Sequence, residues 1–350
     1  MNRNSKDFEN HFMPAPVGGG FFMEGYWVWC GSVVKGEDGN YHMFASRWPK
    51  DLPFHPGWGM ESEIVRAVSK TPEGPYEFAE VVLGFRGPEY WDGRSVHNPV
   101  ICKYKDEYVL FYMGTTHPFG ATPRGGKLKH ESYQWQAARS NKRIGAATSK
   151  SVFGPWKRSD QPLLDVRPEG FDNFFTSNPA PCINEDGSCL LIYKTQSYLK
   201  PPYEGDDIYG SMALGVAWAP HYSGPYKRLT DKALFDINEG VLEDPFIWKT
   251  SNGYGMIAKD WKGTYTGNVG SVVYAASSDG LNWTIDNHTA FSRDILWSDG
   301  KTRTMGNMDR PFILFDGDEM THLFVATNDG KEAGFATMTR SWNACIPLKK

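Results

Sequence analysis

Apolar and polar positions alternate in short runs along the chain, and the same order of runs recurs five times. In four units, two polar residues and a proline lead into an apolar run, and in the remaining unit the proline is absent. These runs are WCGSVV (29–34), HNPVI (97–101), SNPAPCI (177–183), EDPFIW (243–248) and DRPFILF (309–315). A polar turn and a second run rich in β-branched and aromatic residues follow each of them, which is typical of paired strands.

Each unit continues through a longer loop to a third apolar run that ends in small residues. These third runs are IVRAVSK, IGAATSK, LGVAWAP, SVVYAASS and AGFATMT. Almost no segment has the period of a helix. A unit of about 60 to 75 residues repeated five times predicts an all-β, five-bladed β-propeller with four antiparallel strands per blade. An irregular β-sandwich is the alternative, but it gives no reason for the same order of strands and turns to recur.

The repeat also sets the expected domain limits. We expect residues 25–350 to form a single propeller domain, and residues 1–24 to form an N-terminal segment that helps to close the ring. In a four-stranded blade, alternate links lie at opposite ends. Here the links at one end are short, and those at the other end are long and rich in aromatic residues. Function is expected in long loops on one face of a rigid scaffold, so we expect the site at that end.

Composition and charge exclude several classes of function. The net charge of −4 offers no basic excess for nucleic acid, and no apolar stretch reaches the roughly 18 residues of a membrane span. The first residues, MNRNSKDFENHF, lack the apolar stretch of a secretion signal. The five cysteines show no C-x-x-C spacing, which favours reduced thiols. We therefore expect a cytoplasmic protein, or a periplasmic one if a leader has been removed, and the oligomeric state stays open.

Aromatic residues make up 15% of the chain, and many fall in the long loops. Aromatic faces suit the apolar C–H faces of sugar rings, while carboxylates and amides bind the hydroxyls. An oligosaccharide is therefore the expected partner, although any single ring could instead pack the loops together. The aromatic residues expected around the mouth of the central funnel are Trp48, Trp58, Trp91, Trp135, Tyr203, Trp261 and Trp297.

Glu243 and Asp244 are adjacent carboxylates within the apolar stretch VLEDPFIW. Burying an ionised carboxylate is costly, and a functional site is one place where the cost is tolerated. Adjacent residues of a strand point to opposite sides. We therefore expect one of the two to lie in the funnel and the other to pair with a neighbour such as Arg310 or His97. A structural network of ion pairs between blades is the alternative.

Five blades with such polar positions at the head of the innermost strand resemble the five-bladed glycoside hydrolases of families 43, 32 and 117, and more distantly the family 130 phosphorylases. The resemblance covers the chain from about residue 25 onward and rests on the order of strands more than on one motif. It implies that Glu243 is the general acid and that Asp244 holds substrate hydroxyls or tunes the acid. Asp309 takes the same place in the next blade.

Blade one departs from families 43 and 32, because its strand WVWCGSVV lacks the base or nucleophile aspartate. Candidate replacements are Asp309, Asp92, Asp260 and Glu61, and we take Asp309 as the base. Family 117 uses a histidine as acid on this scaffold, which also draws attention to His97. The residues expected to bind substrate are Asp92, His97, Asn98, Asn178, Trp91, Lys194, Asp260 and Arg310, and Lys259 is expected to face the funnel. No cofactor is expected, and a structural calcium ion on the axis is left open.

The sequence thus predicts a glycoside hydrolase that acts on small oligosaccharides by carboxylate acid/base chemistry, as in bacterial polysaccharide utilisation. Long loops in blades two and three favour a closed pocket and exo cleavage. A phosphorylase is a second hypothesis, because it needs one carboxylate acid and basic residues for phosphate. Its candidate basic residues are Arg94, Arg310, Lys194, Lys259 and His97. A carbohydrate-binding propeller without catalysis is the third.

Overall fold

A computed structural model describes residues 1, 8–199 and 208–349. Its strands form five antiparallel sheets arranged as a propeller, which confirms the predicted five-bladed, all-β fold. Within each blade the strands follow one another in chain order from the axis outward, without crossing. Across the described ranges, no helix has the length and apolar character needed to cross a membrane.

The strands of the five blades have the following bounds. Blade one contains β1 (Tyr26–Lys35), β2 (Tyr41–Pro49), β3 (Glu63–Ser69) and β4 (Glu77–Leu83). Blade two contains β5 (Ser95–Tyr104), β6 (Glu107–Thr115), β7 (Arg143–Ser149) and β8 (Lys157–Arg158). Blade three contains β9 (Phe175–Ile183), β10 (Cys189–Gln196), β11 (Ala213–Ala219) and β12 (Lys227–Arg228). Blade four contains β13 (Leu242–Thr250), β14 (Gly253–Asp260), β15 (Val272–Ser277) and β16 (Thr284–Phe291).

Blade five has three strands, and the N-terminal segment lies along its outer edge. A hairpin of β17 (Asp294–Leu296) and β18 (Thr302–Thr304) precedes β19 (Met308–Asp316), β20 (Glu319–Asn328) and β21 (Ser341–Pro347). Phe21 and Asn343 exchange two backbone hydrogen bonds of 2.9 and 3.0 Å, and the N–H of Met13 donates to the carbonyl of Pro347 at 2.9 Å. The described N-terminal residues therefore continue the last sheet, next to the short helix α1 (Phe8–His11).

Every innermost strand carries a β-bulge at the same place. In blade four, for example, Glu243 lies opposite Lys259 whereas Phe246 lies opposite Ile257, so that β13 contains one extra residue. One residue of each bulge has a positive φ, between 48° and 57°. These five residues are Cys30, Asn98, Asn178, Asp244 and Arg310. Asn and Asp tolerate this left-handed region better than most side chains, which explains three of the five.

Two short helices in the long loops cover one end of the axis. These are α2 (Phe54–Glu61) and α3 (Tyr133–Ser140), whose short patterns did not stand out in the sequence. Trp58 and Trp135 meet edge to face, with ring centroids 5.3 Å apart. A Cβ atom on Gly59 would lie 2.2 Å from the Trp135 ring, so the close approach of the two helices requires a glycine there.

The interior consists of apolar side chains packed between neighbouring blades. Phe246 of blade four and Phe312 of blade five meet edge to face with centroids 5.2 Å apart. Val109 and Phe111 on β6 and Ile192 on β10 are completely buried. Several buried polar and charged side chains gather instead at the axis, and they form the site described next.

Candidate active site

A cavity of about 380 Å³ opens on the axis near the first residues of the innermost strands. This volume lies within the range of sites for small molecules. Its aromatic lining residues are Trp29, Trp48, Phe54, Trp58, Trp135, Phe175, Trp261 and Phe335. Its charged lining residues are Arg139, Lys142, Lys194, Glu243, Asp244, Lys259, Asp309 and Arg310.

The five bulge residues are linked across the axis, and we call them the axial chain (Cys30, Asn98, Asn178, Asp244 and Arg310). All of them except Cys30 line the cavity. The Cys30 thiol donates to Asn98 Oδ1 at 2.8 Å, and Asn98 Nδ2 donates to Asn178 Oδ1 at 2.7 Å. Asn178 Nδ2 donates to Asp244 Oδ1 at 2.5 Å, and the Arg310 N–H donates to Asp244 Oδ2 at 3.3 Å. Each blade thus contributes one link, so the predicted substrate amides Asn98 and Asn178 have much of their hydrogen-bonding capacity in use within the protein.

Adjacent side chains on β13 both face the cavity, which corrects the expected alternation of Glu243 and Asp244. Asp244 has a φ of 54° at the bulge, and this turn of the backbone brings its side chain to the same side as that of Glu243. The pairing expected for one of the two is present, because Arg310 Nη1 lies 3.7 Å from Asp244 Oδ1. Burial and the Glu243 charge raise the pKa of Asp244 above its ordinary value.

Glu243 forms an ion pair with Lys194, which comes from the second strand of the preceding blade. Burial raises the pKa of Glu243, but the ammonium groups of Lys194 and Lys259 outweigh burial and hold this pKa well below its ordinary value. Glu243 is therefore ionised in the free site. A general acid must carry a proton, so the predicted role of Glu243 requires a change in its surroundings when substrate binds.

Asp309 repeats the same arrangement one blade further on. Its Oδ1 lies 2.6 Å from Lys259 Nζ, and Lys259 belongs to the second strand of blade four. Asn307 Nδ2 donates to Asp309 Oδ2 at 2.9 Å. Glu243 and Asp309 therefore occupy equivalent positions in neighbouring blades, each immediately before a residue of the axial chain, and each is paired with a lysine from the blade before.

His97 lies at the equivalent position in blade two and lines the cavity. Its Nδ1 is hydrogen-bonded to Ser62 Oγ at 2.8 Å, and its Nε2 lies 3.7 Å from the Cys30 thiol. The ring stacks on Trp58 with centroids 5.0 Å apart. Burial, followed by the charges of Arg310 and Lys142, lowers the pKa of His97 well below its ordinary value, so the imidazole is neutral.

Trp91 and Asp92 lie outside the cavity, and their predicted contact with substrate is not supported. Asp92 is fully buried and accepts hydrogen bonds from Arg86 Nε at 2.6 Å and from the Tyr112 hydroxyl at 2.7 Å. The Trp91 ring stacks on that of Tyr112, and its Nε1 donates to the carbonyl of Ser159 at 3.2 Å. Both residues therefore hold blade two together.

Asp172 repeats this structural role in blade three. It accepts hydrogen bonds from Arg167 Nε at 2.8 Å, the Tyr193 hydroxyl at 2.8 Å and Arg228 Nε at 2.9 Å. Asp92 and Asp172 each stand five residues before the funnel position of their blade, which is His97 in one and a serine in the other. The shared spacing was the signal in the sequence that these aspartates are structural.

Asp260 and Glu61 also lie away from the cavity. Asp260 is fully buried and accepts backbone hydrogen bonds from Thr264 at 3.0 Å and Thr266 at 2.9 Å, so it shapes its own loop. Glu61 pairs with Arg124 at 2.5 Å. Neither acid lines the cavity, and Asp309 is the one replacement candidate of the four that does.

Of the aromatic residues expected around the mouth of the funnel, some line the cavity and others lie elsewhere. Four of them line the cavity: Trp48, Trp58, Trp135 and Trp261. Trp297 lies instead in a separate cleft of about 640 Å³ beside Trp342 and the N-terminal segment. Tyr203 lies outside the described residues. Four further lining residues have no counterpart in the sequence repeat, because they lie in loops and short helices: His55, His130, Arg139 and Lys142.

The axis does not offer a good calcium site. Calcium takes six to eight oxygen ligands, whereas the axial chain combines one carboxylate with two amides, a thiol and the cationic Arg310. Within residues 1, 8–199 and 208–349, no three His, Cys, Asp or Glu side chains come together to hold a metal ion.

No family model and no curated protein matches the chain. Solved structures do share its fold. One is a family 117 glycoside hydrolase of the marine bacterium Zobellia galactanivorans, which is 15% identical to this chain. The TM-score is 0.65, and the match covers 97% of this chain and 89% of that one. An endo-arabinase from Bacteroides thetaiotaomicron is 12% identical with a TM-score of 0.56 over 96% and 97% of the two chains. A thermostable family 43 glycoside hydrolase is 15% identical with a TM-score of 0.55 over 92% and 89%. The resemblance to five-bladed glycoside hydrolases therefore holds for the fold.

Proposed function

We propose that the protein is a glycoside hydrolase that cleaves a small oligosaccharide in the axial cavity. One observation carries the proposal: Glu243 and Asp309, at equivalent heads of neighbouring inner strands, face one cavity with aromatic walls. Glycosidic hydrolysis uses two carboxyl groups on either side of the scissile bond. The solved neighbours with this fold that are named above include hydrolases of families 117 and 43.

The two carboxylates have different tasks in this proposal. Asp309, which forms an ion pair with Lys259, acts as base or nucleophile. Glu243 acts as general acid and gains its proton when bound substrate displaces or neutralises Lys194. Asp244 holds substrate hydroxyls or tunes Glu243, whose charge contributes to the raised pKa of Asp244. Such a division, in which surroundings separate the pKa values of neighbouring carboxyl groups, is common in glycosidases.

An exo mode of cleavage is supported by the shape of the site. Helices α2 and α3 contribute Phe54, Trp58 and Trp135 to the wall, and four residues of the axial chain line the inner end. A cavity closed at one end accommodates the end of a sugar chain better than its middle. The aromatic faces provide stacking surfaces for the sugar rings.

Phosphorolysis is the second candidate, and a specific observation favours it. The described lining has five Lys or Arg residues against three carboxylates, so the site has room for an added negative charge. In that reaction inorganic phosphate attacks the sugar in place of water, and one carboxyl group suffices as acid.

The test is product analysis on a panel of aryl glycosides, with and without inorganic phosphate. Hydrolysis predicts release of free sugar at a rate that does not depend on phosphate, whereas phosphorolysis predicts a sugar phosphate and a requirement for phosphate. Asp106→Asn serves as the control variant for substitutions of the cavity acids, because it alters an exposed acid that pairs with Lys150 on the surface. If the wild-type protein releases no aglycone from any glycoside but still binds sugars, the propeller is a binding protein.

A further inference from the structure

Lys142 occupies an unusual position in the cavity wall. It lies between α3 and β7, its side chain is buried, and it lines the cavity. Its Nζ lies 3.6 Å from the centroid of the Phe175 ring and 5.4 Å from that of the Trp58 ring. Among the described residues, its ammonium group has these aromatic contacts but no hydrogen bond and no ion pair. A buried charge normally has such a partner, because leaving water is costly.

The neighbouring charges make this position still less favourable. Burial, followed by the charges of Lys194 and Arg139, lowers the pKa of Lys142 well below its ordinary value, and Glu243 opposes this only in part. Glu243 already pairs with Lys194, and Asp309 already pairs with Lys259. The protein therefore gathers basic side chains on this side of the cavity, and no carboxylate among the described residues pairs with Lys142.

We propose that the missing partner is an oxyanion of the ligand, bound between Lys142 and Lys194. The inference deepens the proposed function when the oxyanion is a carboxylate of the sugar, since the substrate is then an acidic oligosaccharide that contains a uronic acid. The same chemistry would bind free inorganic phosphate. Trp58 and Phe175 lie beside Lys142, so one pocket offers aromatic faces for a sugar ring and a basic group for its anion.

An oxyanion at this place would also prepare Glu243 for catalysis. The group competes for Lys194 and adds a negative charge near Glu243, and both effects raise the pKa of that carboxyl. Glu243 would then take up a proton from solvent as the ligand binds. The acid would thus be formed by the acidic substrate, and a neutral sugar would leave Glu243 ionised.

Ligand-induced thermal shifts test the proposal without any need for turnover, because a ligand that binds the folded state raises the Tm by mass action. The ligands are glucuronate, galacturonate, glucose, galactose and inorganic phosphate at matched ionic strength. The variants are Lys142→Met, which keeps the apolar stem, and Lys150→Met, which changes an exposed lysine on the surface. We expect at least one anion to bind about 10- to 100-fold more tightly than the neutral sugars, the range for a charged hydrogen bond.

Lys142→Met should abolish that advantage, and Lys150→Met should preserve it. If a uronate is the favoured ligand, the sugar carries the anion; if phosphate is, the anion is free, and either result supports the oxyanion site. Equal binding of neutral and anionic ligands by the wild-type protein overturns the proposal, even if Lys142→Met fails to fold. So does an advantage that survives in Lys142→Met. Uronate binding without cleavage of any glycoside would reject the proposed function while retaining this site.

Discussion

Carboxylates that are buried or nearly so occur in two regions of this propeller, and their partners differ. Asp92 and Asp172 lie inside blades two and three, and each is surrounded by arginine and tyrosine donors that saturate it. Glu243 and Asp309 lie at the axis, and each has a lysine as its charged partner on one side and the cavity on the other. Burial alone therefore does not identify a catalytic acid; open space beside a buried acid is the more informative feature.

The largest effect is expected on the catalytic side of this comparison, from Asp309→Asn. The amide keeps the shape but cannot act as base or nucleophile, so turnover of every glycoside should fall about a hundred- to ten-thousand-fold. Turnover is measured per folded molecule, because Lys259 loses its buried partner and the free energy of unfolding falls as well. Kinetics with added azide extend the test, because azide should restore a product whose anomeric form reveals inversion or retention. Wild-type rates in Asp309→Asn would remove this residue from the mechanism.

Asp92→Asn and Asp172→Asn should lose stability but keep their activity. Each removes one partner from a buried ion pair, which costs about 3 to 5 kcal/mol of the free energy of unfolding. Denaturant titration measures this loss. Activity per folded molecule should be retained at temperatures below the transition. A large loss of activity without a loss of stability would place these aspartates in the site and erase the distinction between the two regions.

The lysine partners provide a test through pH. Lys194→Met removes the main cation that depresses the pKa of Glu243, so that pKa rises toward its ordinary value. Because an acid catalyst works in its protonated form, the upper pH limit of kcat/KM should move to higher pH. Lys259→Met is the matched comparison. It removes the partner of Asp309, and the charge of Lys259 lowers the pKa of Glu243 less than that of Lys194 does. An unchanged pH profile in Lys194→Met would argue against Glu243 as the acid.

The smallest effect concerns the aromatic residues. Trp58→Ala removes a ring from the cavity wall and should weaken binding of sugar about 3- to 10-fold, the range for one aromatic contact. Trp91→Ala should leave affinity unchanged, because that ring packs against Tyr112 in blade two. Titration with product sugars measures both. Equal losses of affinity in the two variants would show that the cavity does not define the binding site.

The first four blades could be predicted from the sequence because each repeats the same strands and turns. In blade five the predicted third run AGFATMT (333–339) is not a strand, and β21 (Ser341–Pro347) takes its place. The same repeat identified Glu243, Asp309 and Lys194 as funnel residues. It failed at Asp244, since strand alternation does not hold at a bulge, although the polar residue before each repeated proline marked that bulge. Lys142 could not be predicted, because it follows a short helix in a loop that the other blades do not repeat.

The most direct measurement compares two leaving groups in Glu243→Gln. The amide removes the proton donor, so hydrolysis of an alkyl glycoside, whose leaving group needs protonation, should fall about a hundred- to ten-thousand-fold. An activated dinitrophenyl glycoside of the same sugar needs little protonation and should lose much less. If Glu243→Gln cleaves both substrates at nearly the wild-type rate, the Glu243–Lys194 pair is structural and the proposed acid is wrong.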